Sequence, residues 1–464
     1  MGGEGDHLPS ATARPRLRRW IRFGPLNRRI FSLAMPAVVE QICHMALGII
    51  DTRLVASLGR AAVAAVGISD QLMQLCIVAF AAFNIGTTAV VARAWGARRE
   101  QEAAAAAGQA LLVVTAVGGL LALAGRRLAL PGVALLGATA ETLPLAGAYL
   151  STVVLSVPAM GALMVCNASM RGAGDTRTPL YITLGMNATH LVFSYVLIFG
   201  RLGLPAFGVV GAAISAILAR WLGVAVALTV LVSGGSRLRL HRPWAAGADL
   251  TVIRRILQVG LPATLEQLVM RLGQMSYFRI VASLGTAAVA AHRLALQAES
   301  LSFSPGMGFG VAATTLVGQG LGAGKPKFAE ASAYQTFRVA GLVMGTMGIA
   351  FVLWPEAICR FFIDDAEVVA LGASVLRIVG LAQPGLALTM VTAGALRGAG
   401  DTRWTLAITM FGIWLVRLPV TYLLVVWLDW GLVGAWIAMS VDLWVRGLSM
   451  LTRFRSGGWK RIVV

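Results

Sequence analysis

Charge is scarce in this chain: 13% of its 464 residues are Asp, Glu, Lys or Arg, 58% are hydrophobic, and mean hydropathy is +0.78. Soluble domains hold about a quarter charged and about half apolar residues, so water is not the main solvent of this one. Cysteine is scarce too. Cys43, Cys76, Cys166 and Cys359 stand far apart in or beside apolar stretches, which gives neither a disulfide framework nor a zinc site. Acidic residues do not cluster at loop ends, so the metal ligands of a lipid-processing membrane enzyme are missing. A phosphate-binding loop is also missing, because Gly324-Lys325 is followed by Pro326 and position 319 is Gln. No cofactor and no enzymatic activity are expected.

What the chain has in abundance is apolar runs of about twenty residues or more, the length that crosses a bilayer. Twelve are expected, near 30–54, 62–92, 103–124, 144–170, 179–200, 207–233, 252–280, 287–318, 332–354, 368–396, 404–427 and 431–453. Lys and Arg fall on alternate sides of these spans rather than on one basic face, which argues for a lipid bilayer and against nucleic acid as partner. The side holding both termini carries roughly five times as many as the other, whose loops hold Arg60, Arg126, Arg127, Arg201 and Arg360. That bias supports an even number of spans, with both termini in the cytoplasm and the chain in the cell inner membrane. Residues 1–29, rich in Arg and without an apolar core ending in a cleavage site, are expected to be a disordered cytoplasmic tail.

The chain also repeats itself. MPAVVEQ at 35–41 matches LPATLEQ at 261–267, VASLGRAAVAA at 55–65 matches VASLGTAAVAA at 281–291, and RGAGDTR at 171–177 recurs at 397–403, all at an offset of 226. One register held over more than a hundred residues is a duplication. The expected fold is therefore an all-α polytopic membrane protein of twelve transmembrane helices. Its two six-helix lobes, 30–233 and 251–455, are parallel copies related by a pseudo-two-fold axis along the membrane normal and enclose a central cavity. A cytoplasmic linker at 234–250 joins them, and 456–464 forms a second tail. VASLGxAAVAA reads as close helix packing with a glycine turn. RGAGDTR reads as a loop whose Asp and Thr cap the next span and whose Arg anchors to headgroups, with gating as the lesser reading.

With IDT at 50–52, the duplicated RGAGDTR loop and GQGLGAGK at 318–325, the chain from about 30 to 450 resembles the multidrug and toxic compound extrusion (MATE) transporters. It looks more like their DinF-like branch than the NorM-like one. The resemblance implies export of cationic, often aromatic, compounds driven by proton or sodium gradients. NorM-like members carry a glutamate eight residues after the helix-seven proline, where this chain has Met270. DinF-like proton-coupled members have Asn and Asp four residues apart in helix five, where alignment of YVLIFG puts His190 and Ser194.

An ionisable side chain within the hydrocarbon costs roughly 2.5–3.5 kcal/mol on insertion scales, so those retained there are candidates for function. Asp51, about 30 Å along the first helix from its inner end at ~1.5 Å per residue, leads them. It is expected to take up the coupling proton with His190 as partner and Ser194 one turn on, unless a static pair with Arg53 or another Arg holds it. Glu40, Gln41, Glu266 and Gln267 occupy matching places in helices one and seven. They either line the cavity or tie helices together through Arg271, Arg279 or Arg417. Glu299, opposite Met73 of the first half, is the second choice for a cation-binding carboxylate, while Asp70 and His292 are expected near the outer boundary. Phe80, Tyr277 and Phe303 are the rings expected to meet flat cations.

Taken together, these readings imply a monomeric secondary-active antiporter for small organic compounds, working by alternating access on H+ or Na+. The alternatives are a lipid-linked-oligosaccharide flippase with a similar two-lobe plan, a membrane enzyme acting on lipids, or a non-transporting scaffold.

Overall fold

The computed structural model describes residues 24–240 and 249–462. Most of the expected N-terminal tail, the core of the linker and the last two residues lie outside the described residues. Twelve long helical segments follow in order: α1 Pro25–Ala56, α2 Arg60–Gly96, α3 Glu100–Arg127, α4 Leu143–Gly172, α5 Arg177–Phe199, α6 Gly208–Ser233, α7 Leu250–Ala282, α8 Thr286–Gly322, α9 Pro326–Leu353, α10 Ala366–Ala399, α11 Thr402–Trp427 and α12 Gly431–Arg455. Ten are long and apolar enough to cross a membrane; α7 and α8 are as long but less apolar. At ~1.5 Å per residue the longest exceed the ~30 Å hydrocarbon layer and extend into the headgroups. Helix α1 starts at Pro25, so positions 25–29 of the expected tail are helical, with Pro at the first turn where its missing N–H costs nothing.

The duplication is visible down to single turns. Short helices Ala129–Leu135 and Pro355–Arg360 sit at matching places before α4 and α10. Gly59 and Gly285, in the repeated VASLG stretch, start α2 and α8 with φ of 100° and 99°, a left-handed turn that only glycine adopts freely. The halves cross reciprocally: α1 packs on α8, and its counterpart α7 packs on α2. A Cβ on Gly260 would lie 1.8 Å from the Ala82 carbonyl oxygen, and one on Gly308 would lie 2.7 Å from the Ala34 carbonyl oxygen. Ala34 and Gly260, like Ala82 and Gly308, are 226 residues apart, so one close approach is built twice.

Further bonds join the halves at the end that carries the basic loops. Thr315 Oγ1 donates to the Arg171 carbonyl at 3.0 Å, Gln319 Nε2 to the Gly172 carbonyl at 2.9 Å, and Arg29 Nη2 to Gln319 Oε1 at 2.8 Å. That end is sealed. Nearer the other end Arg271 Nη2 still reaches Gln74 Oε1 at 3.0 Å, while Ile49 and Ile50 of α1 stand exposed.

Replacing Gly260 by Ala is expected to destabilise the purified protein by about 1–3 kcal/mol, the scale of overpacking strain. Gly119→Ala, on an open helix face with nothing within 4 Å, should be neutral or stabilising by up to ~1 kcal/mol. Equilibrium unfolding in detergent measures both, and equal effects would refute the close approach.

Candidate transport cavity

Inside the first half lies a cavity of about 990 Å³, walled by α1, α2, α4, α5 and α6 and closed on one side by Met307, Gly308 and Val311 of α8. Most of the wall of this space comes from one lobe, with α8 of the other on one side. At the matching place in the second half, side chains pack against one another. There the His292 ring packs 5.8 Å from Tyr277 and 5.3 Å from Trp436, and Arg417 lies 5.9 Å from the Tyr277 ring. His292 is buried.

Two of the polar groups on the cavity wall are Asp51 and His190, joined by a 2.9 Å bond from His190 Nε2 to Asp51 Oδ2. Helix α1 brings the carboxylate and α5 the imidazole. Ser194, one turn beyond His190 and therefore on the same face, shares a 2.7 Å hydrogen bond with Ser215 of α6, whose hydroxyl lies 3.3 Å from His190 Nδ1. Both ring nitrogens are thereby engaged, and a relay runs from Asp51 through His190 to two serines. Among the described residues Asp51 pairs with His190 and not with Arg53. Asp70, expected near the outer boundary, lines the same cavity, as do Gln41, Asn167 and Asn187. Asn187 keeps both polar side-chain atoms without a protein partner, unusual for a buried amide outside a ligand site.

Glu40 is tied down. Arg171 Nη2 donates to both its oxygens at 2.6 Å, and Thr183 Oγ1 donates to Oε1 at 3.2 Å. Glu266 repeats the arrangement with Arg397 at 3.0 Å and Thr409 at 3.0 Å, plus Thr405 at 3.0 Å where the first half has Pro179. The partners are the arginines of the RGAGDTR loops. The expected headgroup anchors, and the expected pairings with Arg271, Arg279 or Arg417, are corrected accordingly: these guanidinium groups turn inward because two buried carboxylates need them. Asp175 does cap α5, accepting from Thr178 N at 3.1 Å and Thr178 Oγ1 at 2.7 Å, whereas Asp401 pairs with Arg453 at 2.8 Å.

Several expected ligands do not line this cavity. Phe80 is wholly buried in the first half's core, its ring seated against Gly161 and Gly118, where glycines make room for it. Tyr277, Glu266, Gln267, Glu299 and Phe303 belong to the second half: the first two are buried, Gln267 and Glu299 half-buried, and Phe303 exposed at 41%. Glu40 and Gln41 alone among the expected substrate ligands border the space.

Other residues escaped the sequence reading. Asp442, fully buried, holds Arg417 at 2.6 Å and Arg446 at 2.9 Å. A carboxylate four residues before an arginine in an apolar span was the available signal. Arg417 lies in a π-helical stretch, Phe411–Arg417, which admits one extra residue per turn. By the 226 offset the counterpart of His190 is Val416; the wider turn puts Arg417 against Tyr277, the counterpart of Asp51.

Twelve helices in two interlocked lobes, with an ionisable relay on the wall of a polar intramembrane cavity, define a membrane transporter. The chain belongs to the MatE family, whose pattern matches residues 36–196 and 262–423, stretches that start 226 residues apart and end 227 apart. It is 32% identical over 445 residues, 95% of its length and 94% of the relative's, to the probable multidrug resistance protein NorM of Thermotoga maritima. It is 27% identical to the multidrug resistance protein MdtK of Edwardsiella ictaluri, covering 92% of this chain and 95% of that one. Among solved structures, an outward-facing multidrug resistance MATE transporter superposes with a TM-score of 0.86 at 22% identity, covering 96% and 98% of the two chains.

Removing one partner of a buried ion pair strands the other, so Glu40→Ala should destabilise the protein by about 3 kcal/mol, with Glu40→Ala/Arg171→Ala costing less than the two single changes added together. A double-mutant cycle in detergent tests this, and strict additivity would disprove the coupling.

Proposed function

We propose that this chain is a secondary-active antiporter that exports small organic compounds by alternating access and takes up protons at the Asp51–His190 pair. The observation that carries the reading is the 2.9 Å bond between these two groups on a cavity wall. A carboxylate and an imidazole in contact share one proton stably, as carboxylate with imidazolium or as acid with neutral ring. A second proton makes the acid and the imidazolium together, which ends the ion pair and adds positive charge to the cavity. A cationic substrate is then repelled, and α1 is released from α5 to bend at Pro36, inside the helix. Loss of the proton restores the pair and the attraction.

Orientation agrees with this cycle. Positive loops stay in the cytoplasm, so the sealed end that holds Arg171, Gln319 and Arg29 is the inner gate. The cavity then faces outward, where protons enter and substrate leaves. The names of the NorM and MdtK relatives, multidrug resistance proteins, support organic compounds as cargo. A flippase for lipid-linked pyrophosphates calls for a more cationic cavity. Here Glu40, Asp51 and Asp70 share the wall with Arg171, Arg220, His44 and His190, so it is the relatives' names rather than the wall charge that favour organic compounds.

Purified protein reconstituted in vesicles, with proton and sodium gradients imposed separately, tests the proposal. A proton gradient should drive efflux of a fluorescent organic cation, and Asp51→Asn should slow it at least tenfold at unchanged membrane abundance. Full-rate efflux by Asp51→Asn would sink the mechanism.

A further inference from the structure

The RRI stretch near the start of α1 recurs in α7, at 28–30 and 254–256, and puts Arg29 and Arg255 at matching positions of the two halves. Each points to the last turns of a helix from the other half. Those two helices, α2 and α8, meet at matching glycines: a Cβ on Gly96 would lie 2.1 Å from the Gln319 carbonyl oxygen, and one on Gly322 would lie 1.9 Å from the Arg93 carbonyl oxygen. Arg93 and Gln319 are therefore counterparts too, on either side of the pseudo-two-fold axis at the sealed end.

The two crossings treat this charge differently. Arg29 meets an amide, donating to Gln319 Oε1 at 2.8 Å, and lies 5.9 Å from the Phe328 ring. Arg255 instead faces Arg93, which stands at the place of Gln319, and the two guanidinium groups are close enough to repel each other. Glu102, at the place of Phe328, pairs with Arg255 at 2.8 Å and with Arg99 at 3.4 Å. Arg93 gains nothing from it: among the described residues it forms no ion pair, and its Nη1 is buried without a hydrogen-bond partner. Three arginines thus stand beside one carboxylate where the halves close. A half-buried guanidinium in that position calls for a counter-charge, and linker residues 241–248 contain no Asp or Glu to supply one.

We propose that a phosphate-type oxyanion binds between Arg93 of the first half and Arg255 of the second and clamps the sealed end shut. Guanidinium forks suit phosphate oxygens, which accept parallel N–H bonds from them. The anion also offsets the like-charge repulsion that pushes α2 away from α7. Its source is either a free phosphate or the phosphate of an anionic lipid headgroup, the ligand that basic pockets between helices take on the cytoplasmic side of membranes. A ligand held by both halves favours the arrangement in which they touch. Arg93 and Arg255 do not line the transport cavity, so binding here is independent of cargo. Only the clamping consequence rests on the alternating-access reading above.

The site is tested on the purified full-length protein in two arms, each at constant ionic strength. Inorganic phosphate is titrated by calorimetry in a non-ionic detergent, and thermal stability is compared between nanodiscs of phosphatidylcholine and of phosphatidylglycerol. Arg93→Gln supplies the amide that the counterpart position already uses, so the variant should fold. It should weaken phosphate binding by about tenfold, the scale of a lost charge-assisted hydrogen bond, while Arg93→Lys keeps part of the affinity and Arg360→Gln, outside the seal, keeps all of it. A gain in stability from phosphatidylglycerol that Arg93→Gln removes assigns the anion to lipid; its absence, with phosphate bound, assigns it to a soluble phosphate. Responses equal in the native chain and Arg93→Gln in both arms would overturn the proposal. In vesicles the anion so assigned should slow native efflux by about half and leave Arg93→Gln unaffected. Binding without slowing would overturn the clamp, whereas Arg93-dependent binding with no gradient-driven efflux under any condition would refute the antiporter and leave the site standing.

Discussion

A charge inside hydrocarbon must find a partner, and this requirement organises the molecule. Two carboxylates of α1 and α7, Glu40 and Glu266, are each held by the arginine that ends the matching helix of their own half, Arg171 and Arg397. Those arginines lie where α4 and α10 turn into the next helix. The Arg171 and Gly172 carbonyls also receive Thr315 and Gln319 from the other half. Ion pair and seal thus share one turn of backbone, so the position of α1 is linked to the end at which the halves close.

From that common frame the two halves have diverged by satisfying charge differently. In the second half Asp442 holds both Arg417 and Arg446, the π-helical turn of α11 brings Arg417 to Tyr277, and the His292 and Trp436 rings pack together. The first half places its carboxylate at Asp51, where the second has Tyr277, and pairs it with a histidine, the one side chain whose ordinary titration range spans physiological pH. The second lobe packs these groups against rings, while the first opens a cavity with charged groups on its wall.

How much of this was legible in advance follows from what a helix hides. Asp51 was conspicuous as an ionisable residue in an apolar span, and His190 and Ser194 came from the family resemblance, which aligns them with the helix-five Asn and Asp; their four-residue spacing then fixes a shared face. Phe80 could not be placed, since α2 is apolar around most of its circumference and its pattern does not say which side meets glycines of α3 and α4. The Glu–Arg pairs were half legible: both members repeat at the same offset, yet the arginines looked like headgroup anchors because they stand at helix ends.

By itself the sequence determined the number of helices, their duplication and the side on which positive charge gathers, because hydropathy, a repeated register and loop charge act locally along the chain. Only the tertiary structure decided where the cavity opens and which carboxylates are neutralised. Those outcomes depend on contacts between helices hundreds of residues apart, where one extra residue in a turn changes which side chain faces which.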